Sequence, residues 1–219
     1  MIKLNTIYNE DCIGENGMCL LPDKSIDMIL CDLPYGTTQN KWDSIIPLDK
    51  LWEQYKRIIK SNGAIILFAQ IPFNIKLAQS NLYWLRYEWI WEKNQGTGFM
   101  NAKKMPLKIH ENILVFYNKL PTYNPQMTKG EPYIQKRKGN IDTGENYGQV
   151  GIKQRTDTVN KGERYPTTII KYKYDKNRIH PTQKPLDLCE YLIKTYTNTG
   201  DLVLDNCIGS GTTAVASLN

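Results

Sequence analysis

Apolar and polar positions along this chain follow two periods, and the switches between them mark its elements. Ile26, Met28, Ile29, Leu30 and Cys31 form a short apolar run, opened by the turn residues of 22–25 and closed by Pro34 and Gly36. This predicts a buried strand running into a tight loop. Leu48, Leu51, Trp52, Tyr55, Ile58 and Ile59 then recur at spacings of three and four, which predicts an amphipathic helix stopped by Asn62-Gly63. Residues 64–69 read as a second buried strand, 72–80 as a helix, and 87–91 and 112–117 as further strands. Residues 4–9 predict a short strand ahead of all these. Towards the other end Pro185 opens a helix striped by Leu186, Cys189, Leu192, Ile193 and Tyr196, and a strand follows over 202–204. Strands alternating with helices imply βαβ units, hence an α/β fold with a largely parallel sheet covered on both faces.

Two stretches interrupt the alternation. Lys93 to Lys108 is polar, contains Gln95-Gly96-Thr97-Gly98, and predicts a mobile loop. Beyond Pro121 the chain turns rich in Tyr, Gly, Lys, Arg and Thr, and no helical period is sustained until about residue 175. Charge sharpens this second boundary. Residues 119–175 hold 11 of the 28 Lys and Arg against 6 of the 22 Asp and Glu, while the remainder balances at 17 against 16. Nearly all of the net +6 therefore lies in one segment, as a phosphate-facing surface needs. A solvated loop or a partly disordered linker has the same composition. Three parts follow: a first α/β part over 1–118, an insertion over 119–175, and a closing α/β part over 176–219.

At 219 residues the chain can bury a full core. It has no long apolar stretch to span a membrane and no apolar leader at its N-terminus, so a cytoplasmic location is expected. Five cysteines (12, 19, 31, 189 and 207) without a C-x-x-C pair suit a reducing compartment. With only His110 and His180 beside them, no metal site is expected.

Chemistry concentrates after the first buried strand, where Asp32-Leu33-Pro34-Tyr35 puts an acid, a proline and an aromatic at the strand's carboxyl end. Ligands bind at that end of the strands in open parallel sheets. An Asp-x-Pro turn uses the same residue types. A second constellation is Gly209-Ser210-Gly211 between a strand and a helix-compatible run. Glycines there permit positive φ and close backbone approach to a ligand. A phosphate-binding P-loop is a poor fit, because Gly211 is followed by Thr212 and not by lysine.

Asp32-Leu33-Pro34-Tyr35 resembles the D-P-P-Y motif of amino-group DNA methyltransferases, with Leu33 in place of the first proline. Asp205-Asn206-Cys207-Ile208-Gly209-Ser210-Gly211-Thr212-Thr213 resembles their cofactor loop D-P-F-x-G-S-G-T-T, and His180-Pro181-Thr182-Gln183-Lys184-Pro185 matches the segment leading into it in the β-type motif order. The resemblance implies a three-layer, Rossmann-like, circularly permuted methyltransferase sheet with an inserted target-recognition region. In the family the glycine-loop helix leads to another strand whose terminal acid holds the cofactor ribose. Here the chain stops at Leu218-Asn219, so the fold is expected to be truncated at its C-terminus.

The cofactor implied is S-adenosylmethionine. By resemblance Asp205, Cys207, Gly209, Ser210, Gly211 and Thr212 hold its methionine and ribose portions, with Thr182 and Lys184 at the methionine end, Asp11 and Cys12 beside the adenine, and Asp32 at the methyl. Asp32, Leu33, Pro34 and Tyr35 are the expected catalytic group. An exocyclic amine is a poor nucleophile because its lone pair is delocalised into the ring. The Asp32 carboxylate and the residue 33 carbonyl would each accept one of its N–H groups, and Tyr35 would stack on a flipped-out base. The loop of 93–108 would close over that base or simply connect two strands. In the insertion, Tyr133, Lys136, Arg137, Lys138, Tyr147, Arg155, Arg164 and Tyr165 interleave aromatic and basic character suited to DNA. Asp rather than Ser at position 32 resembles the adenine-specific members. The expectation is N6-adenine methylation of double-stranded DNA, with N4-cytosine methylation or an inactive DNA-binding remnant as alternatives, and a homodimer or a restriction system as possible company.

Overall fold

In the computed structural model, which describes residues 3–41, 43–136, 157–180 and 182–219, the first apolar run forms strand β1 (Ile26–Asp32). Met28 to Cys31 are fully buried, as a strand covered on both faces requires. Helix α1 (Leu48–Ile58) turns Leu51, Trp52, Tyr55 and Ile58 inward and carries Asp49 in its first turn and Lys56 and Arg57 in its last, charges that complement the helix dipole. Next come β2 (Ile59–Ala69), α2 (Phe73–Ser80), β3 (Leu85–Thr97) and β4 (Lys108–Phe116). Short strands β5 (Thr128–Lys129), β6 (Tyr133–Gln135), β7 (Thr158–Asn160) and β8 (Glu163–Arg164) precede β9 (Ile169–Lys171). Helix α3 (Leu186–Tyr196), β10 (Val203–Leu204) and α4 (Thr212–Leu218) complete the order.

Six strands form one sheet in the order β10-β1-β2-β4-β3-β9. All run the same way except β4, which is antiparallel to both neighbours. A short connection suffices between β3 and β4 because an antiparallel return needs no crossover. Alternate residues of β1 feed two cores: Ile29 and Cys31 pack with α1 and α2, while Met28 and Leu30 pack with Leu188 and Leu192 of α3 and Ala216 of α4. The result is a three-layer, Rossmann-like α/β sheet with the carboxyl ends of β1, β2, β3 and β10 on one edge.

The chain divides into two compact units, one of 1–124 with 167–219 and one of 125–166. The first contains the whole six-stranded sheet; the second contains two antiparallel pairs, β5 with β8 and β6 with β7. Within the second unit the Arg164 guanidinium lies 4.9 Å from the centre of the Tyr133 ring. Arg137, Lys138, Tyr147, Arg155 and Pro181 lie outside the described residues. Among the described residues no helix is long and apolar enough to cross a membrane.

Three expectations need correction. Residues 4–9 form no strand: Asn5 has φ +51° and the Lys3 amide donates to the Tyr8 hydroxyl at 2.6 Å, closing a turn. Leu4 and Ile7 are exposed, so the segment has no sheet face to bury. Asn62-Gly63 does not stop a helix, because α1 ends at Ile58 and passes directly into β2. The glycine answers a different constraint, since a Cβ at residue 63 would lie 2.7 Å from the Asp27 carbonyl oxygen, beside the register shift between Ile26 and Met28. Finally, the presumed loop of 93–108 is shorter, because β3 continues to Thr97. Accordingly, Gly63→Ala should cost about 1–3 kcal/mol in urea unfolding, the range for overpacking, whereas Asn62→Ala at the exposed neighbouring position should change stability by less than about 0.5 kcal/mol.

Candidate active site

Asp32 ends β1, and its carboxylate is held from two sides. The Tyr35 hydroxyl donates to Oδ1 at 2.8 Å, and Lys184 Nζ meets Oδ2 at 2.5 Å. Lys184 is 9% exposed and also faces Glu111 Oε2 at 3.4 Å, while Glu111 Oε1 accepts from Lys93 Nζ at 2.5 Å. Four charges thus alternate in sign, Asp32–Lys184–Glu111–Lys93, and the last three are buried. Burial opposes the charge on Lys184, but Asp32 and Glu111 outweigh it and raise its pKa above the ordinary lysine value. Burial likewise opposes ionisation of Glu111, and the two ammonium groups overcome it, leaving that carboxyl below its usual range. Burial, with Asp32 adding to it, pushes Tyr35 well above the usual phenol value, so the hydroxyl stays a donor.

The loop after Asp32 is set by a second carboxylate. Asp43 accepts four consecutive backbone N–H groups: Oδ1 from Tyr35 at 2.8 Å and Gly36 at 2.9 Å, Oδ2 from Thr37 at 2.9 Å and Thr38 at 2.7 Å. Gly36, at φ +66°, supplies the left-handed residue this wrap needs. The Tyr35 ring stacks on Phe73 with centroids 5.2 Å apart and planes 24° from parallel, so α2 fixes the ring while Asp43 fixes its backbone. Leu33 is 3% exposed and anchors the loop in the core between β1 and α1.

The glycine loop leaves β10, the parallel neighbour of β1, at the same edge. Asp205 accepts the Cys207 amide at 2.9 Å through Oδ1, and burial raises its pKa. Asn206 Oδ1 accepts the Tyr55 hydroxyl at 2.5 Å, which ties the loop to α1. Gly209 and Gly211 have φ +51° and +81°, and a Cβ built on Gly211 would meet nothing within 4 Å. The loop backbone therefore borders open space. Ser210 and Thr212 bring their hydroxyls within 3.1 Å of each other. Asn206 Nδ2 reaches the sulfurs of both Cys12 and Cys207, at 3.5 and 3.4 Å. Cys31 lies behind them, its pKa pushed up to about 11 by burial.

The family model for DNA methylases matches residues 26–219. The chain belongs to this family. It is 28% identical over 243 residues to the type II methyltransferase M.BglII of Bacillus subtilis, covering 99% of this chain, and it spans 63% of that relative's length. It is 27% identical over 230 residues to the DNA adenine methyltransferase YhdJ of Escherichia coli, covering 99% of this chain and 75% of the relative. Its fold is similar to that of the M1.HpyAVI-SAM complex, with a TM-score of 0.56 at 23% identity, over 89% of this chain and 78% of that one.

Within this member of the family the residues singled out from sequence fall into three groups. Asp32, Leu33, Pro34, Tyr35 and Lys184 meet at the end of β1, while Asp205 to Thr212 border them from β10. Cys12 joins Cys207 and Asn206, and Asp11, one residue earlier, is exposed and accepts the Ile13 amide at 3.1 Å. Thr182 is exposed, and its hydroxyl meets His180 Nδ1 at 2.9 Å, inside its own segment. Asp175 steadies the same segment, accepting from Gln183 Nε2 at 3.3 Å and the Leu186 amide at 3.2 Å, at the start of α3. Asp43, Lys93 and Glu111 escaped the sequence reading.

Two outcomes follow from these carboxylates. Glu111→Ala leaves the Lys93 and Lys184 ammonium groups buried without the anion between them, so chemical denaturation should register a loss of about 3–5 kcal/mol. For Asp43, burial opposes ionisation and the Gly36, Thr38 and Thr37 bonds outweigh it, giving a pKa below the ordinary carboxylate value. Its contribution is therefore complete above the unfolded-chain pKa of about 4 and fades as pH falls through the lower folded value. Asp43→Asn should be less stable at pH 7 by about 2 kcal/mol, and a melting series should show that difference closing as the solution is acidified below pH of about 4.

Proposed function

We propose that the chain binds S-adenosylmethionine and methylates the N6 amino group of adenine flipped out of double-stranded DNA. The observation that carries this reading is the shared edge: Asp32 and the glycine loop leave adjacent parallel strands, with Met28 paired to Val203 and Ile29 to Leu204. Bound there, S-adenosylmethionine supplies a methyl group activated by its sulfonium. The residues suit such a ligand, because Gly209 and Gly211 carry no Cβ, the space beside Gly211 is open, and Asp205 offers a carboxyl in the same loop. Asp205, Cys207, Gly209, Ser210, Gly211 and Thr212 would hold the methionine and ribose portions, with Cys12 and Asp11 further along.

Asp32 then has a specific task. Its carboxylate accepts one N–H of the target amine, the residue 33 carbonyl accepts the other, and the nitrogen lone pair turns towards the methyl donor while the developing positive charge is offset. Lys184 stands on the far oxygen of Asp32 and keeps the carboxylate aimed. Pro34 offers no competing N–H. Tyr35, its ring already oriented by Phe73, is the stacking surface for the base. The basic segment of 119–175 supplies the phosphate contacts and the target recognition. Asp at position 32 and the likeness to YhdJ favour adenine over cytosine.

Incubation with tritiated S-adenosylmethionine and unmethylated mixed-sequence duplex, followed by digestion to nucleosides, should place the label on adenosine. Label on cytidine overturns the base assignment. Asp32→Ala should lower the transfer rate about a hundred- to a thousand-fold while DNA retention in gels is kept, and a variant with undiminished turnover would remove Asp32 from the mechanism.

A further inference from the structure

The connection between β3 and β4 projects beyond the edge at which Asp32 sits. Asp32 lies level with Phe68 of β2, which pairs with Ile113 of β4, which pairs with Trp89 of β3. Strand β4 begins five residues before Ile113, at Lys108, an overhang of about 15 Å at the usual rise per residue. The base of this finger is fixed to the site: Lys93 and Glu111 belong to the charge chain that ends on Asp32, and Lys108 Nζ donates to Gln70 Oε1 at 3.0 Å, just past the end of β2. Its tip carries a short 3-10 turn, Phe99–Asn101, entered through Gly98 at φ +92°.

The tip is built against the usual distribution of residues. Phe99 is 71% exposed, Met100 100% and Met105 57%, and none of the three joins either core cluster. Residues 98–108 contain Lys103, Lys104 and Lys108 and no acidic residue. Apolar side chains raised on a cationic finger suit a polyanion with an apolar interior, which is the character of a stacked duplex. Removing one base from such a stack leaves a gap that water fills poorly, and apolar wedges of Phe or Met are the side chains that enter opened base steps.

We propose that the 98–107 tip is a DNA wedge, with Phe99 and Met100 occupying the space vacated by the nucleotide that turns towards Asp32, and Lys103 and Lys104 meeting the flanking phosphates. This rests on the reading of the site as one that takes a base out of a duplex, and it adds a surface and a role to it. Flipping then replaces lost stacking with contact to an aromatic and a thioether, so the finger and the site act on the two ends of one displacement.

Affinity, measured by fluorescence anisotropy on the whole chain, tests this without any methyl transfer. The probes are a short mixed-sequence duplex, the same duplex with one abasic tetrahydrofuran residue, and the corresponding single strand. The unmodified protein should bind the abasic duplex about five-fold or more tighter than the intact one, because the gap is already open. F99A/M100A should reduce that preference to less than about two-fold while holding its single-strand affinity, and F99W, which keeps a flat apolar wedge, should retain it. Equal binding of the two duplexes by the unmodified protein, an undiminished preference in F99A/M100A, or an equal loss on all three probes would each overturn the wedge. Failure of the catalytic reading would show separately, as absence of tritium transfer by a protein that still prefers the abasic duplex.

Discussion

The contact on which the rest of the site depends is the pairing of Lys184 with Asp32, and it cannot stand by itself. An ammonium that is 9% exposed has given up most of its hydration, and one partly exposed carboxylate would not compensate for that. Glu111 on its other side, and Lys93 beyond, extend the pair into a row in which each inner charge has an opposite neighbour on both sides. The row joins the end of β1, the far parts of β3 and β4, and the segment that enters α3. Removing any inner member leaves like charges facing each other in a poorly solvated space. The arrangement thus fixes three other parts of the chain relative to the Asp32 carboxylate, whatever its net contribution to stability.

Around that row, backbone and rings are placed by independent means. Asp43 gathers four successive amides and so dictates the path of the chain after Pro34, while Phe73 of α2 sets the plane of the Tyr35 ring. On the other side, the bond from Tyr55 to Asn206 connects α1 to the glycine loop. The same helix that fills the core against β1 therefore also steadies the neighbouring loop. Reversal of β4 matters here as well. It brings Glu111 and Lys108 back to the carboxyl edge, where a strand parallel to the others would deliver its last residues to that edge by way of a long crossover.

Much of this was legible in the residues. β1, α1, the centre of β2 and α3 declared themselves because their apolar positions carry a period and are buried as that period demands. Residues 4–9 misled for the complementary reason: Leu4 and Ile7 have the character of a strand but no partner surface, and nothing local distinguishes that case. Asn62-Gly63 has the chemistry of a helix stop, yet its glycine is required by the Asp27 carbonyl on a neighbouring strand, a contact formed only in the sheet. Lys93 was assigned to a loop because it opens a polar, glycine-containing stretch. Its burial follows from Glu111, 18 residues away, and Glu111 is in turn tolerated because of Lys184, a further 73 residues on. Paired buried charges leave no periodic trace, so motif likeness could find Asp32 and Lys184 separately but not the row that links them.

That row also bears on what Asp32 can do in the proposed reaction. A carboxylate that orients an amine must keep accepting capacity after its own partners have been served. Asp32 has Lys184 Nζ 2.5 Å from one oxygen and the Tyr35 hydroxyl 2.8 Å from the other, both donors. In the proposed reaction this carboxylate accepts from the amine, orienting it and answering the charge that grows on it as the N–C bond forms and the S–C bond breaks, and the proton of the methylated amine then passes to solvent. The accepting capacity is sufficient, since two carboxylate oxygens offer about four lone-pair sites and the two donors occupy only part of them. Position and field are what the fold would supply to that reaction at this residue, and the Lys184–Glu111–Lys93 row behind it holds the carboxylate in place.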